Sequence, residues 1–542
     1  MQDIEISTLF KGKSLLTHTL SSSILTQPAT SPAVPSLTAS HIASLSASRL
    51  HIRCLSSLTL TRNIALPPFF HITNARLTWS PPDLPPLDAS STPPRRTPPK
   101  RSHRFLVADD ETVRVYDLRD AKWNANMSNG SGGMGKIVHV EFGNSEDEVL
   151  VWNDFMAKMG IWCLKTGRCV EIRDPKFSGR GWGYRPCPEK DNGSGSGSGD
   201  KGRGRGGVLA ILCRTAGLDI LLLLAPQTYS IIRRIELPTM DAAGLKWSRD
   251  GRWIAVWDSA SSGYNLHIYT ADGHLYRTIT RESSEDAWME WGVEGLGIKS
   301  VEWVPGNQWL AVAGWDGRVR ILSTRTFSPL VFLDHTPIIH IPSAPVYTEK
   351  IDSRGVRSYH LTAQPVTPPH APNDKDSSIK QGISLLALNT TGTLCATRND
   401  SSPSVVWIWD LRLLKPQAVI IQIAPVRSLV WCPGDGEILM IQTVDSGAVF
   451  LFHANTLFAS AGSLGVLGPP EIVDIGSSMG MTSRSGAPAS VSSVNATWLA
   501  TPGDKRPAFV ASGQAGHVVV WPRGKDQILR FEREGEGEES DD

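Results

Sequence analysis

Three stretches of this 542-residue chain come close to patterns that carry chemistry. Gly130 to Ile137 (GSGGMGKI) nearly spells a phosphate-binding loop. It lacks the closing Ser/Thr that would hold magnesium, and the residues after it read as a strand. A phosphate cradle needs a helix N-terminus there. Gly476, Ser478 and Gly480 satisfy G-x-S-x-G, but in a Gly/Ser-rich loop instead of the strand–turn–helix that exposes a nucleophilic serine. The Arg203-Gly-Arg205-Gly-Gly run is a single short copy without interleaved aromatics, which reads as a solvated linker and not an RNA-binding element. The seven cysteines (Cys54, Cys163, Cys169, Cys187, Cys213, Cys395, Cys432) show no C-x-x-C and no ligand-like Cys/His spacing. No catalytic, metal or cofactor site is expected.

Composition narrows the classes further. Lys and Arg number 54 against 53 Asp and Glu, a net charge of +1, which argues against a nucleic-acid binder working by bulk charge and against a polybasic membrane protein. The strongest apolar stretch, Leu218 to Ala225, is too short to span a bilayer. The first residues carry acids and lack an apolar run, and the odd cysteine count fits a reducing compartment. A soluble intracellular protein is the expectation.

The 18 tryptophans point to the architecture that must position any site. Trp79, Trp247, Trp303, Trp431 and Trp498 share one context: a short aliphatic run, the indole, a Pro/Gly/Asp/Asn turn, then an alternating apolar strand. That is a β-hairpin pattern. A third strand ending in an aromatic follows each, as in TVRVYDLR and VVWIWDLR, and usually a fourth. Four strands per roughly 40 residues, repeated along the chain, predict an all-β fold: a single β-propeller of divergent WD40 repeats. Nine units are counted, at 14–66, 73–120, 136–173, 182–237, 243–281, 297–334, 381–420, 426–460 and 491–533. An eight-bladed ring with one degenerate unit is the second choice. Tyr116-Asp117 and Trp409-Asp410 end third strands, where the WD dipeptide belongs; Trp257-Asp258 and Trp315-Asp316 end second strands. The strand-one tryptophans read as wedges between neighbouring blades, not base-stacking platforms.

The propeller is expected over 8–533, with low-complexity insertions at 81–103, 188–207, 335–381 and 460–490 and an acidic tail at 534–542. Loops joining strands one to two and three to four share one face, here the bottom; the remaining connections share the top. The insertions at 81–103 and 188–207 fall on the bottom, and 335–381 and 460–490 join blades on the top.

The segments GLGIKSVEWVPGNQWLAVAGWDGRVRIL (295–322), LKWSRDGRWIAVWDS (245–259), LCATRNDSSPSVVWIWDLRLL (394–414) and PVRSLVWCP (425–433) resemble the WRAP family of WD-repeat proteins, in a fungal-type form. These are centrosomal and spindle-pole-body propellers that help anchor microtubule minus ends. The resemblance implies a non-enzymatic scaffold in the cytoplasm and cytoskeleton, at the spindle pole body or microtubule-organising centre. Its implied partners are a coiled-coil minus-end-anchoring protein and a minus-end-directed kinesin, with microtubule contact indirect, and neither nucleic acid nor membrane among its ligands. The alternative is a nine-bladed translation-initiation-type propeller binding ribosome or RNA, against which the near-zero charge speaks.

The resembling segments include top-face loops, so partner-binding residues are expected there: Asp258, Trp315, Asp316, Arg398, Asn399 and Asp400, with Trp288 and Trp291 in the connection SSEDAWMEWGVEG. Tryptophan and arginine dominate binding hot spots. On the bottom, Thr92-Pro-Pro-Arg95 and Thr97-Pro-Pro-Lys100 fit Thr-Pro-x-basic, which resembles the cyclin-dependent kinase consensus, so Thr92 and Thr97 are expected phosphorylation sites.

Overall fold

Near-continuous apolar strands such as WIAVW and VVWIW demand cover on both sheet faces, and a ring of radially stacked sheets supplies it. A computed structural model of the chain has this form. It describes residues 4–6, 18–22, 33–46, 48–55, 57, 59–82, 101–128, 135–154, 158–176, 180–186, 207–280, 297–369, 381–444, 446–455, 467–476, 494–500, 506–513 and 516–522. Nine sheets, antiparallel except for one added pairing, follow one another as nine blades of a β-propeller. The only helical turns among the described residues are the 3-10 turns Ile72–Asn74 and Ala260–Ser262.

Blade five shows the standard pattern: Ala242–Trp247, Trp253–Asp258, Asn265–Thr270 and Leu275–Thr280, each antiparallel to the next. Blade six repeats it with Ile298–Trp303, Trp309–Gly314, Arg318–Ser323 and Pro329–Asp334. First strands of successive blades approach one another and line the axis. The apolar core lies between blades. Nine buried clusters are found among the described residues, one at each of the nine junctions, including the junction of the ninth blade with the first. The ring is therefore closed.

The five repeat tryptophans do the same work in each blade. Each donates its indole N–H to a first-strand carbonyl of the preceding blade: Trp79 to Val34, Trp247 to Gly183, Trp303 to Lys246, Trp431 to Ala387 and Trp498 to Val430, all at 2.9–3.1 Å. Each ring is buried, so the bond satisfies a donor that would otherwise be stranded. They are wedges between blades.

Three boundaries differ from the sequence reading. The strand near residue 18, assigned above to the first unit, is His18–Ser22 and pairs with Gly516–Trp521 of blade nine. It completes the last blade from the opposite end of the described chain, and the first blade starts at Val34–Pro35. Blade eight takes its fourth strand, Glu471–Asp474, from within the stretch read as a 460–490 insertion. Finally, the stretch 335–381 holds a hairpin, Val346–Ile351 and Arg357–Leu361, whose first strand adds in parallel to Lys415–Ile421, the outer strand of blade seven. The fourth strands of blades four and five are mostly exposed; under this hairpin, Ala418 to Ile421 are buried.

Candidate functional site

The second-to-third-strand turns of blades six and seven meet on the top face. Blade six contributes Gly314–Gly317 and, from its first strand, Lys299. Blade seven contributes Ser384, Arg398, Asn399 and Asp400 from its inner strands Ile383–Leu388 and Leu394–Asn399 and the turn that follows. The Lys299 ammonium lies 4.2 Å from the centre of the Trp315 ring, pairs with Asp400, and donates to the Gln381 carbonyl at 2.8 Å. Asp400 also accepts from Ser384 at 2.6 Å and pairs with Arg398. Arg398 reaches Ser384 at 2.5 Å and the Val426 carbonyl of blade eight. Burial alone would raise the Asp400 pKa. Hydrogen bonds from Lys299 and Ser384, with the charges of Lys299 and Arg398, instead hold it below the usual carboxylate range. Trp315, half-buried, is the aromatic end of this network.

Asn399 packs against blade six. Gly317 has φ 76°, and a side chain there would meet the Asn399 amide nitrogen at 2.8 Å. Asn399 also borders a cavity of about 100 Å³ with His335, Pro337, Pro368, Ser402 and Trp407.

Of the sequence-predicted residues, Trp315, Arg398, Asn399 and Asp400 thus come together. Asp316 turns away: it binds Arg320, whose guanidinium lies 4.9 Å from the Tyr264 ring of blade five. Burial opposes the Arg320 charge, but the Asp316 bonds and charge raise its pKa. Asp258 is buried, accepting from Asn265 at 3.1 Å and the Asp241 amide at 3.3 Å. Both acids brace turns and are closed to a partner. Arg398 is itself largely consumed by internal bonds, so it anchors the seam before it could touch a partner. Thr92, Thr97, Trp288 and Trp291 lie outside the described residues.

Sequence reasoning missed Lys299 and His335. Lys299 lies inside the quoted GLGIKSVEW, so its signal was present. His335 sits beneath the seam in a chain of hydrogen bonds: the Trp409 indole donates to Thr397 Oγ1 at 2.8 Å, Thr397 pairs with His335 Nε2 at 2.7 Å, and His335 Nδ1 meets the Gly317 carbonyl at 3.0 Å. Nothing local links it to Thr397, 62 positions on.

Among the described residues no group of three or more His, Cys, Asp or Glu could hold a metal ion, and no helix is long and apolar enough to cross a membrane. The near-phosphate-loop at Gly130 leads into a strand, Ile137–Phe142, and so lacks the helix such a loop requires. What the seam offers is a surface with an aromatic plate, a paired cation and a small cavity.

No protein-family model matches the chain. It is 27% identical over 346 residues to the mouse WD repeat-containing protein WRAP73, covering 59% of this chain and 67% of that one. It is 24% identical over 367 residues to an uncharacterized WD repeat-containing protein of the fission yeast Schizosaccharomyces pombe, covering 65% and 68%. Among solved structures, it is similar to a eukaryotic initiation factor (TM-score 0.47, 11% identity, 88% of this chain and 96% of that chain) and to Saccharomyces cerevisiae Sqt1 (TM-score 0.45, 10% identity, 77% and 92%). The two sequence relatives agree with the motif resemblance: the chain is similar to WD repeat-containing proteins of the WRAP type, with a fungal protein among the relatives.

Proposed function

We propose that this WD-repeat propeller is a non-enzymatic scaffold of the spindle pole body or centrosome. In this reading its top face holds a coiled-coil minus-end-anchoring protein, a minus-end-directed kinesin joins the assembly, and microtubules are engaged through these partners. The supporting observation is a convergence. Three segments that resemble the WRAP family supply Lys299 and Trp315, Arg398 and Asp400, and Val426, and these residues form one hydrogen-bonded seam beside a half-buried tryptophan. An indole held in place by a paired cation has the composition of an interface anchor.

Purification of the tagged chain from mitotic cells tests this. The wild type should recover a coiled-coil pole protein and a kinesin, and Trp315→Ala should lose them while melting like the wild type. Recovery of ribosomal subunits in their place would overturn the reading.

The same proposal extends to Thr92 and Thr97, in the insertion between Arg76–Trp79 and Arg104–Ala108. Each phosphate adds about −1.5 to −2 charges to a stretch containing Arg95, Arg96, Lys100 and Arg101. Phosphopeptides covering both threonines are expected from mitotically arrested cells; coverage without modification removes the switch.

A further inference from the structure

Trp253 and Trp309 break the rule that the other repeat tryptophans obey. They open the second strands of blades five and six, so both lie at the bottom face. Both are half-buried, and neither indole N–H is hydrogen-bonded to a described residue, unlike the five wedges described above. Trp253 is nevertheless held firmly, with the rings of Tyr276 and Phe327 centred 4.7 and 5.4 Å away. Together the two indoles line a groove of about 670 Å³ with Asp250, Arg252, Gln308 and Arg325.

The charge on this groove is one-sided. Arg252 and Arg325 are exposed on its rim, Arg249 is exposed in the same turn as Arg252, and the Arg277 guanidinium lies beside it on the Thr326 carbonyl. Asp250, the acid in the lining, is engaged by the Ser248 hydroxyl at 2.5 Å and the Arg252 amide at 3.1 Å, and it pairs loosely with the Arg252 guanidinium at 3.6 Å, which leaves the rest of that exposed fork and Arg325 facing the groove. Preorganised indoles with unused donors, flanked by exposed guanidiniums, match the chemistry of an extended peptide with acidic side chains. The rings cover apolar atoms, the N–H groups meet backbone carbonyls, and arginine forks meet carboxylates.

We propose that this bottom groove binds an acidic, extended peptide segment of a partner protein. A nucleic acid is the less favoured ligand, because the basic patch is short, an acid lies within it, and the whole chain carries a net charge of only +1. The groove lies on the face opposite the Lys299–Trp315 seam, so the inference stands apart from the function proposed above.

Fluorescence anisotropy on the full chain tests it, with labelled glutamate-rich and lysine-rich peptides carrying one central aromatic, and a single-stranded oligonucleotide. The glutamate-rich peptide should bind, more weakly as salt rises. The exposed double variant Arg252→Glu/Arg325→Glu should weaken binding about tenfold or more without moving the melting temperature. Trp309→Phe, which removes one donor but keeps the apolar ring, should weaken it by a smaller factor. Equal binding by the charge-reversed variant would overturn the proposal, as would preference for the lysine peptide or the oligonucleotide. Binding that appears only after removal of 523–542 would assign the groove to the chain's own acidic segment and overturn a partner as occupant.

Discussion

His335 shows how tightly one residue's chemistry can be fixed by its neighbours. The Gly317 carbonyl can only accept, which places a ring hydrogen on His335 Nδ1, while Nε2 faces the Thr397 hydroxyl, itself an acceptor for the Trp409 indole. Burial holds the His335 pKa at about 4, below the ordinary 6.5, so the unfolded chain takes up a proton that the folded chain refuses. The stability from this group is complete above about pH 6.5 and is lost as pH falls toward 4. A shift of this size is worth on the order of 3 kcal/mol. The melting temperature should therefore drop over that window, and drop less steeply in His335→Gln; identical slopes would count against the assignment. His517, also held near 4 by burial, contributes to the same limb in both proteins. Arg398 teaches a different lesson. Its segment is legible in the sequence, but its bonds to Ser384 and to Val426 of the next blade cross strands and obey no spacing rule. Arg398→Ala should cost about 1.5–3 kcal/mol in denaturant unfolding, as charged hydrogen-bonding groups do. Arg398→Lys should recover only part of that, for want of the fork. A silent Arg398→Ala would mean that the seam is not held as described.

Elements were legible where local pattern and packing demand agree. The strand-one tryptophan, the turn and the alternating second strand recur within about 10 residues, a range over which side-chain alternation alone sets the pairing. The fourth strands were weaker signals, because they lie at the outer edge and need apolar residues on fewer positions. Glu471–Asp474 was therefore lost in a Gly/Ser-rich stretch. The hairpin 346–361 was missed although VYTEKIDSRGVRSYHL carries its turn in plain view: Asp352 caps the amides of Arg354 and Val356 at 2.8 Å, and Gly355 takes φ 81°. Proline-rich flanks made the stretch look structureless. Its role is to clamp two blades. Tyr347 bonds the Leu467 carbonyl, Tyr359 meets Gln422 at 2.9 Å and packs edge-on to Phe450, and the buried Glu349 accepts from Arg357 at 2.5 Å and the Ile423 amide at 3.0 Å. Replacing 345–362 with a short Gly/Ser link would bare Ala418 to Ile421 and strip Phe450 of its cover. A fall of several degrees in the melting temperature is expected, with raised binding of a hydrophobic dye. An unchanged melt would show the hairpin to be an ornament on a self-sufficient blade.

At the scale of the ring, closure is decided at the ninth junction. Blades two to eight are each built from consecutive strands, but blade nine takes its fourth strand from His18–Ser22, with Ile4–Ile6 paired outside it, and both precede the first blade in the chain. Sequence reading placed that strand with its chain neighbours because nothing in a strand of five residues names its partner. The choice has a physical consequence. A ring closed only by side-chain packing between Ile42, Val510, Val519 and Trp521 could open by separating two blades. With the strand from one end of the described chain hydrogen-bonded into the blade at the other, opening must also break the ladder from Thr19–Trp521 to Ser22–Val518. It also covers the edge of Gly516–Trp521, an apolar strand that would otherwise be free to pair with other molecules. A chain beginning at residue 33 should therefore melt lower and aggregate on warming, whereas a chain ending at 533, without the acidic tail, should behave as the full one. A peptide spanning residues 14–24, added to the chain that begins at 33, should restore solubility by refilling the vacant edge. If the shortened chain instead stays monomeric with an unaltered melt, closure rests on the inter-blade core alone, and the pairing at the ninth blade is dispensable.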